Sequence, residues 1–206
     1  MAADVVAPST YNWNGPYVGL EGTYGWASST HCNSFCSGAP SNPVVYGSGL
    51  GGGAEVGFNY ILSNVLIGAE ADYSLMGLNG SSPGGGGFGC GGGNGCVTNV
   101  TGIGTARLRL GVPVNNVLPY VTAGGALSSI TASLGSNPPG NTNFLNFAAG
   151  AGIEVGLSHH LSVKAEYLHI FDNGQLFIYP SGCGGPGCGV EHYSADLARV
   201  GINLHF

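Results

Sequence analysis

The run His192-Tyr193-Ser194-Ala195-Asp196 carries an imidazole, a hydroxyl and a carboxylate, the side chains of a nucleophilic site. A serine attacks only with a base in reach, and the base needs an acid to orient it. Asp196 is the one acid that follows Ser194 on this stretch, and the sequence supplies no further partner. GSGLGG (47–52) fits a dinucleotide-binding glycine pattern only formally. It lacks the strand before it, the helix after it and the ribose-binding acid that such a site needs. Six cysteines fall as Cys32/Cys36, Cys90/Cys96 and Cys183/Cys188. A metal held by cysteines with His31 or His192 is the sharper reading of them, but the spacings are not those of CxxC sites. The expectation is no metal and no cofactor. The chemistry that remains is ionic: Glu70 and Asp72 lie inside the greasy run VLIGAEADYSL (65–75), and Arg107 and Arg109 inside ARLRL.

Those charges must be positioned by strands. In 65–75 the odd residues Val65, Ile67, Ala69, Ala71, Tyr73 and Leu75 form an apolar face, while Glu70 and Asp72 take the other. Charged residues are 7% of the chain, against roughly 25% in soluble domains. Forty glycines lower the helix expectation, and no apolar run approaches the roughly 20 residues of a membrane helix. No basic patch points to nucleic acid. Three segments repeat a polar pair followed by an alternating run: Ser63-Asn64, Asn115-Asn116 and His159-His160. Each also has an alternating run before it, so each reads as a hairpin. With a first strand in 12–29 and a last in 190–206 they make eight. The links between hairpins, about 30–45, 78–96, 134–142 and 173–189, are long and rich in Gly, Pro, Ser and Asn. Short turns at one end and long loops at the other are the asymmetry of a transmembrane barrel. The predicted fold is therefore all-β, an eight-stranded antiparallel up-and-down barrel over 12–206. Residues 1–11 form a flexible tail, with Met1 read as an initiator replacing a removed export signal.

Apolar residues choose the outward faces, and the charges take the opposite ones. Glu21, Glu55, Glu70, Asp72, Arg107, Arg109, Glu154, Lys164, Glu166 and Arg199 then point inward. Strand four is expected to send Val100, Ala106, Leu108, Leu110 and Val112 outward. The apolar faces are thin and full of Gly and Ala, as lipid contacts are and a packed core is not. Eight strands leave room only for side chains, so these charges must pair, above all Arg107 and Arg109 with Glu70 and Asp72. Outward Phe58, Tyr60 and Phe206 near the turns, and Tyr24, Trp26, Tyr73, Phe147 and Phe171 near the loops, read as two interfacial belts.

NWNGPYVGLEGTYGW near the start and RVGINLHF at the end, with LRLGV and AEYLH between, resemble the small outer-membrane immunogenic (opacity-like) proteins of Gram-negative bacteria. The resemblance implies an outer-membrane barrel, with loops outside and termini in the periplasm. The six cysteines depart from that family's usual pattern. Export passes an oxidising compartment, and pairing within each loop is the simplest of the 15 connectivities open to six cysteines. Each such ring removes about 2 kcal/mol of chain entropy. The expected function is structural and surface-interacting, with a plugged polar interior and disulfide-stapled loops, and without enzymatic activity. Expected partners are outer-membrane lipid including lipopolysaccharide, a surface partner at the loops, and, where the barrel is not a monomer, copies of itself. A narrow solute channel, a lipid A-modifying enzyme and a soluble lipocalin-like carrier are the alternatives.

Overall fold

The computed structural model describes residues 11–32, 44–82, 95–134, 139–174, 177–178 and 189–206. The strands are β1 (Gly15–Cys32), β2 (Val44–Leu62), β3 (Val65–Ser82), β4 (Cys96–Gly111), β5 (Val117–Leu134), β6 (Gly140–Gly156), β7 (Leu161–Ile170), β8 (Phe177–Ile178) and β9 (Gly189–His205). Each long strand pairs antiparallel with the next, β7 pairs with β9, and β9 returns to β1. The eight long strands thus close a barrel. The two-residue β8 lies on β9.

The three polar pairs sit in the tight turns. Ser63 and Asn115 adopt the left-handed backbone that such turns require (φ 60° and 57°). Val114 and Val117 exchange both backbone hydrogen bonds across Asn115-Asn116. Outside, Leu20, Leu50, Leu75, Leu108, Val121, Leu145, Val200 and Ile202 are exposed; inside, alternate residues are buried, or half-buried where β2 carries glycine. The wall is oily where a soluble barrel would be polar.

The strand ends depart from the sequence expectation in two ways. β3 and β1 continue to Ser82 and Cys32, past the points where loops were expected to open. The first strand begins at Gly15 (φ +111°) rather than at residue 12. The residues just before it fold back into the turn-end mouth of the barrel. There Trp13 is buried with Leu66, Leu118 and Tyr120, and Tyr11 packs on it with ring centroids 4.4 Å apart. Of the expected tail, residues 1–10 lie outside the described residues.

A third departure is inside. Toward the loop end the lumen is mainly apolar: Met76, Leu78, Val100, Ile103, Ile130, Phe144, Leu168, Ile170, Tyr193 and Leu197 form one buried cluster. Val100, expected on the outer face, is 2% exposed. The cause is a bulge. Leu75 pairs with Gly102 and Leu78 with Val100, while Val100 and Gly102 face Ile130 and Ser129, adjacent residues of β5. One extra residue at Thr101 flips the parity of everything beyond it.

Candidate functional site

Between the Trp13 layer and the apolar layer lie the ten charged side chains, all buried. Alternation on each strand puts them there, and antiparallel register sets which ones meet. Glu70 faces Arg107 across β3–β4, Glu166 faces Arg199 across β7–β9, and Glu154 faces Lys164 across β6–β7. Arg107 is the hub. Its Nη2 donates to Glu70 Oε1 at 2.6 Å and Asp72 Oδ2 at 2.9 Å, its Nη1 to Glu166 Oε1 at 2.8 Å, and its Nε to Thr105 Oγ1 at 2.7 Å. Arg109 donates to the Tyr17 hydroxyl at 2.6 Å and to Glu154 Oε2 at 2.7 Å, and its guanidinium lies 4.0 Å from the centre of the Tyr120 ring. Tyr17 in turn donates to Glu70 Oε2 at 2.6 Å.

Lys164 donates to Glu55 and approaches Glu70 at 3.3 Å and Glu21 at 3.9 Å. Arg199 lies 3.1 Å from Asp72 Oδ1, 3.6 Å from Glu21 and 3.7 Å from Glu166. Glu154 also accepts from Ser162 and from Asn203 Nδ2 at 2.9 Å, and lies 3.2 Å from His205 Nε2. With Tyr120 donating to Glu166 at 3.0 Å, all eight long strands contribute to one network. A buried charge without a partner would cost several kcal/mol; the mutual pairing offsets that cost. Sequence reasoning did not find Tyr17, Tyr120, Ser162, Asn203 and His205. Tyr17, Ser162, Asn203 and His205 alternate in phase with the charges of their own strands, which is the signal that could have marked them; β5 carries no charge, so Tyr120 had no such mark.

The other sequence-derived candidates are dispersed. Tyr24, Trp26, Phe58, Tyr60, Tyr73, Phe147, Phe171 and Phe206 are all exposed on the outer surface. His192 and Ser194 do not form a base–nucleophile pair: His192 Nδ1 meets Asp172 Oδ2 at 2.5 Å, and the Ser194 hydroxyl meets that of Ser28 at 3.0 Å. Asp196 lies within the ladder opposite Trp26 and His169 and accepts from Tyr167. Asp172 follows β7. Burial raises its carboxyl pKa, but the Gly174 amide, His192 and the Tyr193 amide hold it lower still, for a net shift below the usual range. Cys96 is buried and disulfide-bonded. Cys36, Cys90, Cys183 and Cys188, and the side chain of Cys32, lie outside the described residues.

A closed ring of eight antiparallel strands with an oily exterior and an ion-paired interior defines an outer-membrane β-barrel. The chain belongs to the outer membrane protein beta-barrel domain family, which it matches over residues 1–206. It is 31% identical to the 31 kDa outer-membrane immunogenic protein of Brucella melitensis, over 82% of this chain and 79% of that one. With the 22 kDa outer membrane protein of Rhizobium leguminosarum it shares 26% identity, over 95% of this chain and 79% of the relative. Among solved structures it superposes on OprG of Pseudomonas aeruginosa (TM-score 0.60, 15% identity, 95% of this chain and 98% of that one). It also superposes on Neisserial surface protein A (TM-score 0.54, 12% identity, 94% and 98%). At those identities the likeness is one of fold.

Proposed function

We propose that this outer-membrane barrel is a structural and surface-interaction protein with a filled, non-conducting lumen, loops outside the cell and termini in the periplasm. One observation carries the reading: side chains from all eight long strands bond to one another across the axis. Trp13 below and the apolar cluster above add two further layers. A void among Val45, Leu78, Thr98, Val100 and Tyr193 in the upper lumen measures about 10 Å³, barely room for one water. In this reading the loops are stapled within themselves by Cys32/Cys36, Cys90/Cys96 and Cys183/Cys188; of these cysteines Cys96 is bonded, to a partner outside the described residues. The relatives described as immunogenic fit a barrel that presents its loops at the surface. Ser194 bonds to the Ser28 hydroxyl and not to an imidazole among the described residues, so it lacks the base a nucleophile needs.

Planar-bilayer recording tests the lumen. The expected trace is flat at physiological salt, and steady single-channel steps would replace this reading with a narrow channel. Mass spectrometry of lipid A from cells expressing the chain is expected to show no new species.

A further inference from the structure

The outer wall carries a cleft of about 430 Å³ near the loop end that nothing above employs. It crosses four neighbouring strands. Ser28 on β1 pairs with Ser194 on β9 and Tyr46 on β2; Trp26 pairs with Asp196 and Ser48; Ser48 pairs with Asn79 on β3. All seven of these residues line the cleft. Tyr46 is 74% exposed and Trp26 39%. An apolar band about 25 Å tall on strands tilted about 40° takes roughly ten residues. Counted from Val18 along β1, the band ends at about Trp26, so Ser28 and Tyr46 stand at headgroup height.

The lining has the chemistry of sugar recognition. Two exposed aromatic rings offer flat faces for the C–H side of a pyranose. Three serine hydroxyls and an amide can exchange hydrogen bonds with its hydroxyl groups. Among the described residues the cleft holds one charge, Asp196, engaged by Tyr167 and, at 2.7 Å, by His169. Among the described residues no cation lines it, so a phosphate would meet a carboxylate and no counter-charge there. An interfacial belt explains Trp26 and Tyr46; it does not explain the hydroxyl array beside them. Further down, Gly22 and Gly52 face each other on the outer wall, and a Cβ at Gly22 would meet nothing within 4 Å. That bare stretch leaves space for an acyl chain. We infer that this cleft binds the uncharged sugar headgroup of a membrane glycolipid. On the orientation proposed above, that lipid lies in the outer leaflet.

The test uses the full chain in phospholipid nanodiscs doped with digalactosyl diacylglycerol as the neutral probe and, separately, with phosphatidylglycerol. Native mass spectrometry reads the lipid retained on the released barrel. The expected retention favours the glycolipid by about tenfold at equal mole fraction, as one stacked ring and one or two hydrogen bonds would give. Tyr46→Ala and Ser194→Val should bring the ratio toward parity, and Ile202→Ala, on the distant turn-end wall, should leave it unchanged. The chain has two tryptophans, so Trp13→Phe leaves Trp26 as sole reporter, and its emission should shift to the blue as glycolipid is added. Equal retention of the two lipids, or variants that change nothing, would overturn the inference. Full displacement by free digalactose would also overturn it, in favour of a soluble glycan. Nanodiscs present both leaflets, so the outcome is independent of barrel orientation and of conductance.

Discussion

Replacing Arg107 by Met keeps a long stem but removes the hub of the lumen. Four hydrogen bonds go, three of them to carboxylates. Glu70 retains Arg109 and Lys164, each at 3.3 Å, and Asp72 retains Arg199 at 3.1 Å. Glu166 is the group left stranded, with only the Tyr120 hydroxyl at 3.0 Å and Arg199 at 3.7 Å. Six buried carboxylates would then face three cations instead of four. Removing one partner of a buried ion pair costs about 3–5 kcal/mol, and Arg107→Met should fall in that range. Arg199 supplies the contrast: it stands at ion-pair distance, yet none of its guanidinium nitrogens makes a hydrogen bond among the described residues. Arg199→Met should cost about half as much, on the order of 1–2 kcal/mol. Adding Glu166→Gln to Arg107→Met should recover about 1–2 kcal/mol by removing the stranded charge. The measurement is reversible urea unfolding in phosphatidylcholine vesicles, followed by gel mobility. Equal losses for the two arginine variants, or a loss at Arg107 below about 1 kcal/mol, would refute the hub.

Trp13→Ala should destabilise the barrel by about 3–5 kcal/mol, the usual cost of truncating a buried tryptophan, read by the same unfolding. Gly57→Ala should cost about 1–3 kcal/mol, because a Cβ there would sit 2.2 Å from the Tyr17 ring. Gly22→Ala, with open space at its Cβ, should stay within about 0.5 kcal/mol of the parent. The Asp172 carboxyl releases its proton at lower pH in the folded chain than in the unfolded one. Its contribution is therefore complete above the ordinary carboxylate range, near pH 4, and is lost as pH falls through the lowered folded value. Protection of the Gly174 and Tyr193 amides, taken relative to the unstructured exchange rate at each pH, should fall on that descent in the parent, and already be low at neutral pH in Asp172→Asn.

The barrel was legible because a two-residue period repeats in strand after strand and polar pairs mark the turns. Residue type alone chose the sides in VLIGAEADYSL and ARLRL, and a face carrying Glu70 cannot share lipid with one carrying Ile67. Where neither face is polar, the period loses its label. In Ala126–Ala132 of β5 both faces are small or apolar, so nothing in that segment marks the lining above the charges. The bulge at Thr101 was illegible for another reason: an inserted residue changes no composition, only phase. Trp13 reads as a strand residue because NWNGPYV alternates well enough. What removes it from the strand is the +111° backbone at Gly15, a conformation that glycine permits but does not announce.

On the filled-lumen reading, the layers bracketing the ionic tier also decide what bathing salt can do to it. Surface ion pairs fade as ionic strength rises, because mobile ions crowd around them within about 10 Å at 0.1 M. Chloride or sodium entering this barrel would have to pass the indole at one mouth or the Leu78–Ile130–Phe144 stratum at the other. The attractions around Arg107 are therefore insulated from their electrolyte. A cell surface that alternates between fresh and saline water would keep the same internal cohesion in both.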